Sequence, residues 1–404
     1  MEAQSTLILR RWAIYCGILL ATIIAFNILM DPYLLFGVPR WPHLNQRKPS
    51  VVENEALIKA YDLLRERPRT LILGTSSAAR GLNARSTHWP ADQRPVYNLA
   101  MAGKGPYASY RYVQHVLAMG HPIYQVLIAV DFEYFEGNRL RDPTARDGSE
   151  FEDRLAVTAD SQVNARRKWQ RLRDYLDAAI SSDAVVESVR TLIGNSKATS
   201  DDIDAGNREI DDSGFKIMGD SAMLEVSDIF DMRTFSDAHL VNQAFVDLDA
   251  LLALCQSHNI PVILVMNPVT TDVLELFDLL GDWPEYENWK RQIVSVAEKH
   301  STRSKNYHIS VWDFGGFESY SIDELGPNKR YLSWFWDGTH YNWIVGDKML
   351  DEIFGRGSAR FGAQVNSLNL ESRLVSVRNS QALYRQSHPD DVRRIDGLIR
   401  LMGR

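Results

Sequence analysis

The sequence predicts an α/β fold with a doubly wound parallel sheet, standing behind one membrane-spanning helix. Three observations predict it. Short apolar runs that stop at glycine, asparagine or aspartate alternate with segments of helical spacing, as strands buried on both faces do. One long run near the N-terminus carries no charge. The 404 residues are 45% hydrophobic and 24% charged with a net charge of −7, ordinary globular composition that excludes a disordered, collagenous or low-complexity chain.

The charge-free run extends from Trp12 to Met30, interrupted only by Asn27. A helix of that length rises roughly 28 Å, close to the hydrocarbon thickness of a bilayer. Arg10 and Arg11 before it and Asp31 after it place residues 1–11 in the cytoplasm and the bulk of the chain outside, against an opposing pull from Arg40, Arg47 and Lys48. A cleaved signal peptide is the rival reading. The run is long for its apolar region and no A-x-A site follows. Residues 31–66, rich in proline and aromatics, read as a juxtamembrane connector.

The α/β domain is expected over 67–357. Its strands fall at Thr70–Leu73, Pro95–Leu99, Gln125–Val130, Pro261–Met266 and Ile309–Trp312, with helices at 107–119, 239–257 and 284–300. The alternation breaks between 136 and 235, where charged helices (163–193) and an acidic loop-like stretch (198–214) suggest an insertion or lid. The tail, 358–404, reads as helical and polar. An acidic chain without a sustained basic block is a poor nucleic-acid binder. Cys16 and Cys255 are the only cysteines and one lies in the apolar run, which excludes a disulfide framework. Without clustered cysteines or histidines paired at ligand spacing, no metal and no cofactor is expected.

Open α/β sheets bind ligands at the carboxyl ends of their strands. There the sequence places Gly74-Thr75-Ser76-Ser77, then Asn98 through Gly105, Asp131, Asn267 and, late in the chain, Trp336-Asp337-Gly338-Thr339-His340-Tyr341. These residue types suit acyl transfer. A serine hydroxyl is a weak nucleophile until an imidazole accepts its proton, and a carboxylate must fix the imidazole tautomer. Asp337 and His340 stand three apart, so one loop can present both. Ser77 is the alternate hydroxyl and the expected helix cap. Asp131 reads equally as a strand-end structural carboxylate, and Asp313 competes with Asp337 as the acid.

In order and spacing, Gly-x-Ser after the first strand, Asn…Gly after the second and Asp-x-x-His near the C-terminus resemble the SGNH/GDSL hydrolase superfamily. LILGTSSAARGLN, VYNLAMAGKGP and WDGTHY, behind an N-terminal anchor, are similar to its membrane-attached branch, which includes the alginate O-acetylation proteins and the D-alanyl transfer protein of teichoic acid assembly. The resemblance covers roughly 68–135 and 238–355. It implies a three-layer α/β/α fold with Ser76 as nucleophile, His340 as general base and Asp337 as its orienting carboxylate. It also implies an oxyanion hole built partly from the Ser76 and Gly103 backbone. Two positions depart: Thr75 replaces an aspartate, and Val130-Asp131-Phe132-Glu133 replaces the third block, Gly-x-Asn-Asp. An ionised aspartate cannot donate to an oxyanion, so Asn267 is the substitute donor.

The implied activity is O-acylation, most simply O-acetylation, of an exported or cell-surface polysaccharide through a seryl ester, with a multi-pass membrane partner supplying acyl groups. An esterase of the same fold and a non-catalytic polysaccharide-binding scaffold are the alternatives. Trp334, Trp336 and Trp343 bracket Asp337 and His340 and suit a sugar-binding rim, with core packing as the competing role. The basic stretch Arg166-Arg167-Lys168 with Arg171 and Arg173 faces an acidic polymer, lipid headgroups or simply solvent.

Overall fold

The computed structural model describes residues 2–51, 53–135, 151–196, 202–204, 207–209, 243–301, 307–322, 332–358 and 360–401. Apart from single 3-10 turns and a ribbon (Asp202–Asp204 with Asn207–Glu209), the first elements are α1 (Glu2–Met30), α2 (Glu55–Glu66), β1 (Thr70–Leu73), α3 (Ser76–Gly81), β2 (Val96–Asn98), α4 (Pro106–Ala118), β3 (Gln125–Val130), α5 (Arg167–Ile180) and α6 (Ser182–Ser196). There follow α7 (Gln243–Ser257), β4 (Val262–Met266), α8 (Thr271–Leu280), α9 (Trp283–Ser301), β5 (Ile309–Asp313), α10 (Trp343–Ile353), β6 (Ala363–Val365), α11 (Leu370–Ser387) and α12 (Pro389–Leu401).

The chain divides into two compact units. The helical unit holds α1, the stretch up to residue 65, and α5 and α6. Residues 151–196, expected as an insertion on the α/β core, therefore share their unit with the N-terminal helix. The rest of the 136–235 segment, apart from the short ribbon, lies outside the described residues. α1 is long and apolar enough to cross a membrane. It is exposed along most of its length and becomes covered only from about Ile23 onward. Asn27, the polar interruption, is fully buried; its Nδ2 donates to the Ala179 carbonyl at 3.0 Å and its Oδ1 accepts from Ser188 at 2.9 Å. A buried amide with both ends paired costs little, and this one fastens the helix to α5 and α6.

The α/β unit is built on a six-stranded sheet of order β2-β1-β3-β4-β5-β6. The first five strands are parallel and β6 runs antiparallel at the edge. β1 to β4 are buried along their whole length, which is why they read as apolar runs without alternation. The five expected strands lie within a residue of their expected bounds. β6 is the addition: three residues inside the tail, too short to carry a pattern. The tail is also not a polar appendage. Leu370, Leu374, Val377 and Tyr384 are buried in the α/β unit, and Arg385 and Arg394 pair with Glu275 and Asp272 of α8. Strand order reverses between β1 and β3, and such a reversal opens a crevice at the carboxyl ends of those strands.

Candidate active site

Ser76 is the first residue of α3, directly after β1 and at that crevice. Thr75 caps the helix: its backbone is extended and its hydroxyl oxygen accepts from the Ser77 N–H at 3.3 Å. The same hydroxyl donates to Asp131 Oδ2 at 2.5 Å, so the turn before Ser76 is braced by the carboxylate ending β3. The expectation that Ser77 is the cap is corrected here. Its side chain is buried and its Oγ donates instead to the Thr339 carbonyl at 3.2 Å. A cap must sit before the first helical turn, and that place is occupied by Thr75.

Asp337 and His340 occupy a tight turn rather than a helix start. The turn is closed by the Phe335–Tyr341 bridge and by the Trp336 N–H donating to the His340 carbonyl at 2.8 Å. Thr270 ties it down, donating from its backbone N–H and its hydroxyl to the Gly338 carbonyl at 3.0 and 3.2 Å. What brings this turn to Ser76 is close packing of α3 on α10. A Cβ on Gly81 would sit 2.0 Å from the Tyr341 ring, and one on Gly346 would sit 1.9 Å from the Gly81 carbonyl oxygen. Glycine at both positions lets the helices approach to backbone contact.

The result is a relay. His340 Nε2 lies 2.7 Å from Ser76 Oγ and its Nδ1 lies 2.6 Å from Asp337 Oδ2. An ionised carboxylate only accepts, so Nδ1 carries the proton toward Asp337 and Nε2 accepts from the Ser76 hydroxyl. Asp337 Oδ1 accepts from the Thr339 and His340 amides, each at 2.9 Å, and Arg80 Nη1 is 3.8 Å from Oδ2. Burial alone would raise the Asp337 pKa. The charge and hydrogen bond of His340, with the two amides, overcome it and hold the carboxyl well below the usual range. Ser76 and His340 remain partly accessible.

The remaining expected residues separate. Gly103 lies on the loop after β2, which is laid against the β1–α3 turn by the Met101 N–H donating to the Gly74 carbonyl at 3.0 Å. Its φ of +70° and the open space around it suit a backbone that receives a ligand. Asn267 is buried and engaged, donating through Nδ2 to Asp131 at 2.8 Å and accepting through Oδ1 from Tyr341 at 3.0 Å. Asp131 is held by Thr75 and Asn267 in a support beneath the β1–α3 turn; burial pushes its carboxyl upward, against those hydrogen bonds and the nearby His340 charge. Asp313 faces Lys290 and Arg373, at 2.8 and 3.1 Å, not the imidazole. Of the three tryptophans, Trp334 packs edge-on against Tyr320, Trp336 is half-buried and Trp343 is exposed at the start of α10.

Beside the β1–α3 turn a small pocket is lined by Gly74, Thr75, Lys104, Gly105, Asp131 and Tyr134, among others. Sequence reasoning missed Thr270, which steadies the turn, because nothing in its local sequence marks it; Arg80 and Tyr341 stand within LILGTSSAARGLN and WDGTHY, where no role was assigned to them. Asn98 was noted only as part of a motif. Its amide donates to the Ala78 and Leu82 carbonyls at 3.0 and 2.7 Å and so joins the β2 loop to α3. Among the described residues no cluster of potential metal ligands occurs. In comparisons with known proteins, the chain matches no family model and no curated protein.

Proposed function

We propose that this protein is a membrane-anchored serine O-acyltransferase of the SGNH/GDSL type, with a three-layer α/β/α catalytic domain outside the cytoplasm, and that it acylates a cell-surface or exported polysaccharide. One observation carries the reading: a single imidazole contacts a serine hydroxyl through one nitrogen and a buried carboxylate through the other. Those residues stand 264 and three positions from His340 in sequence.

In this mechanism Ser76 Oγ attacks the carbonyl carbon of an acyl donor while His340 Nε2 takes its proton. The negative oxygen that forms rests on the backbone N–H groups of Ser76 and Gly103. Collapse expels the donor's leaving group, which receives the proton from His340, and leaves an ester on Ser76. A sugar hydroxyl then gives its proton to His340 and attacks that ester, regenerating Ser76. Asp337 stays ionised and stabilises the imidazolium at each stage. Asn267, whose side chain is occupied by Asp131 and Tyr341, is better read as a support for the nucleophile turn than as an oxyanion donor.

Transfer rather than hydrolysis is favoured by the resemblance to membrane-attached acyltransferases and by the apolar N-terminal helix, whose flanking Arg10 and Arg11 favour a cytoplasmic N-terminus. The same resemblance supplies the multi-pass partner that would deliver acyl groups. An esterase would use the same relay with water as acceptor. The engagement of Asn267 favours a second reading, a polysaccharide-binding scaffold with an incomplete oxyanion hole.

A fluorophosphonate probe applied to the full chain separates these readings. Labelling that maps to Ser76 and disappears in Ser76→Ala supports catalysis; an unlabelled, folded protein leaves only the scaffold. Incubating the active protein with an acetyl ester and a sugar oligomer then distinguishes acylated oligomer from free acetate.

A further inference from the structure

The helical unit carries an apolar surface that its own folding leaves uncovered. On α5, Asp174 and Ala178 point inward, with Asp174 held by Arg154 in two contacts of 2.8 Å and by the Tyr61 hydroxyl at 2.8 Å. On the opposite side, Trp169 is 75% exposed and Leu172, Leu176 and Ile180 are about half exposed. At about 100° per residue these four fall within an arc of roughly 80°. α6 repeats the arrangement. Ala184, Ser188 and Thr191 are buried, while Val186, Val189 and Ile193 face outward.

Position turns this stripe into a clue. α5 and α6 are fastened through Ala179 and Ser188 to Asn27 in the last turns of α1. The uncovered part of the charge-free run, from Trp12 to about Thr22, rises only roughly 16 Å, about half the hydrocarbon thickness of a bilayer. If α1 crosses a bilayer, its last turns lie at or near hydrocarbon depth, and α5 and α6 flank them there. A helix pair facing water would turn polar residues outward. Here the outward stripe of α5 is apolar, bordered by Lys168 on one side and Arg173 on the other, within a run that also holds Arg166, Arg167 and Arg171. Of the two acidic residues on α5, Asp174 is neutralised by Arg154, and Asp177 lies 3.5 Å from Arg173 in an exposed pair that lipid phosphate can replace.

We propose that the outer faces of α5 and α6 form a second membrane contact, lying in the headgroup–acyl boundary of an anionic bilayer beside the exit of α1. Trp169, Leu172, Leu176 and Ile180 meet acyl chains, and Lys168 and Arg173 reach outward to lipid phosphates. The proposal rests on α1 being a membrane span. The helical unit then holds the exit of the span at a fixed depth instead of leaving it on a free connector.

The test uses the full chain in a Cys16→Ser background, reconstituted in phosphatidylcholine–phosphatidylglycerol vesicles. Nitroxide labels are placed singly through Leu172→Cys, Leu176→Cys and Val189→Cys, with Ile18→Cys on α1 and Leu368→Cys as the lipid and water references. Collision with oxygen, which concentrates in lipid, is compared with collision with a water-soluble nickel chelate. The stripe labels are expected to favour oxygen several-fold over the Leu368 position. Stripe labels that behave like Leu368 while Ile18 reports lipid overturn this proposal and leave the span intact. An aqueous Ile18 overturns the span and the proposal together. Labels shielded from both reagents indicate a protein neighbour, such as a second copy, and also overturn it. Lys168→Glu with Arg173→Glu is expected to make the stripe labels shallower on these vesicles; unchanged depth removes the role assigned to the phosphates.

Discussion

Asp337 and Asp313 are both buried carboxylates of the α/β unit, and both are held ionised, below the usual carboxylate range, against burial. Asp313 achieves this with two basic side chains. Lys290 Nζ lies 2.8 and 3.0 Å from its two oxygens, Arg373 Nε lies 3.1 Å away, and the Gly315 N–H donates to it at 3.0 Å. Asp337 achieves it with two backbone amides and an imidazole whose far nitrogen meets a hydroxyl. The first arrangement is a buried charge network, with Lys290 and Arg373 gathered around the carboxylate and no imidazole within it. The second can pass a proton along. Burial and a depressed pKa do not by themselves mark an active site; the titratable partner and what lies beyond it do.

This contrast can be broken by substitution. Asp337→Asn is expected to have the largest effect, about a 10⁴-fold slower acylation of Ser76 with the fold retained, because an amide can hold the wrong imidazole tautomer. A fall of less than tenfold in the labelling rate, about 1.4 kcal/mol, would make the relay incidental.

Asp313→Ala should invert that result. It leaves Lys290 and Arg373 buried without the carboxylate between them and is expected to cost about 3–5 kcal/mol in denaturant unfolding, while labelling of the folded protein at low temperature is unchanged. The deficit should depend on pH. The folded-state pKa of Asp313 lies below its unfolded value, so its stabilisation is complete above about pH 4 and is lost as pH falls toward the folded value. Wild type and variant should therefore converge in acid.

Ser77→Ala sharpens the distinction between neighbouring hydroxyls. Losing the bond from Ser77 Oγ to the Thr339 carbonyl should cost about 1 kcal/mol, with the probe still reaching Ser76. Transfer of the label to Ser77 in Ser76→Ala would contradict the assignment.

Asp282 adds a third case: among the described residues it has neither a cation nor an imidazole as partner. Its Oδ2 is buried with no hydrogen-bond partner among the described residues, and burial, aided by Glu285, raises its pKa to about 6. A raised folded-state value means a stabilising contribution present below about pH 4 and lost as pH rises through about 6. Asp282→Asn should therefore be more stable than wild type at pH 7 and lose that advantage near pH 4. An advantage that persists unchanged at pH 4 would mean that the carboxylate charge is not its source.

By itself the sequence determined what depends on neighbours along the chain. The strands β1 to β4 were legible because a strand buried on both faces must be apolar throughout. The apolar span of α1 and the pairing of Asp337 with His340 were legible because each is local. Residues at the mouths of strands were identifiable because a parallel sheet places them together. Tertiary structure decided the rest. It gave Asn27 its buried partners on α5 and α6 and drew residues 151–196 into the unit of the N-terminal helix. It made Thr75 the cap, engaged Asn267 with Asp131 and Tyr341, and gave Asp313 to Lys290 and Arg373. The physical reason is common to all of these. A polar side chain's role is set by the donor or acceptor it meets on burial, and that partner comes from a distant segment whose approach, as at Gly81 and Gly346, is fixed by packing.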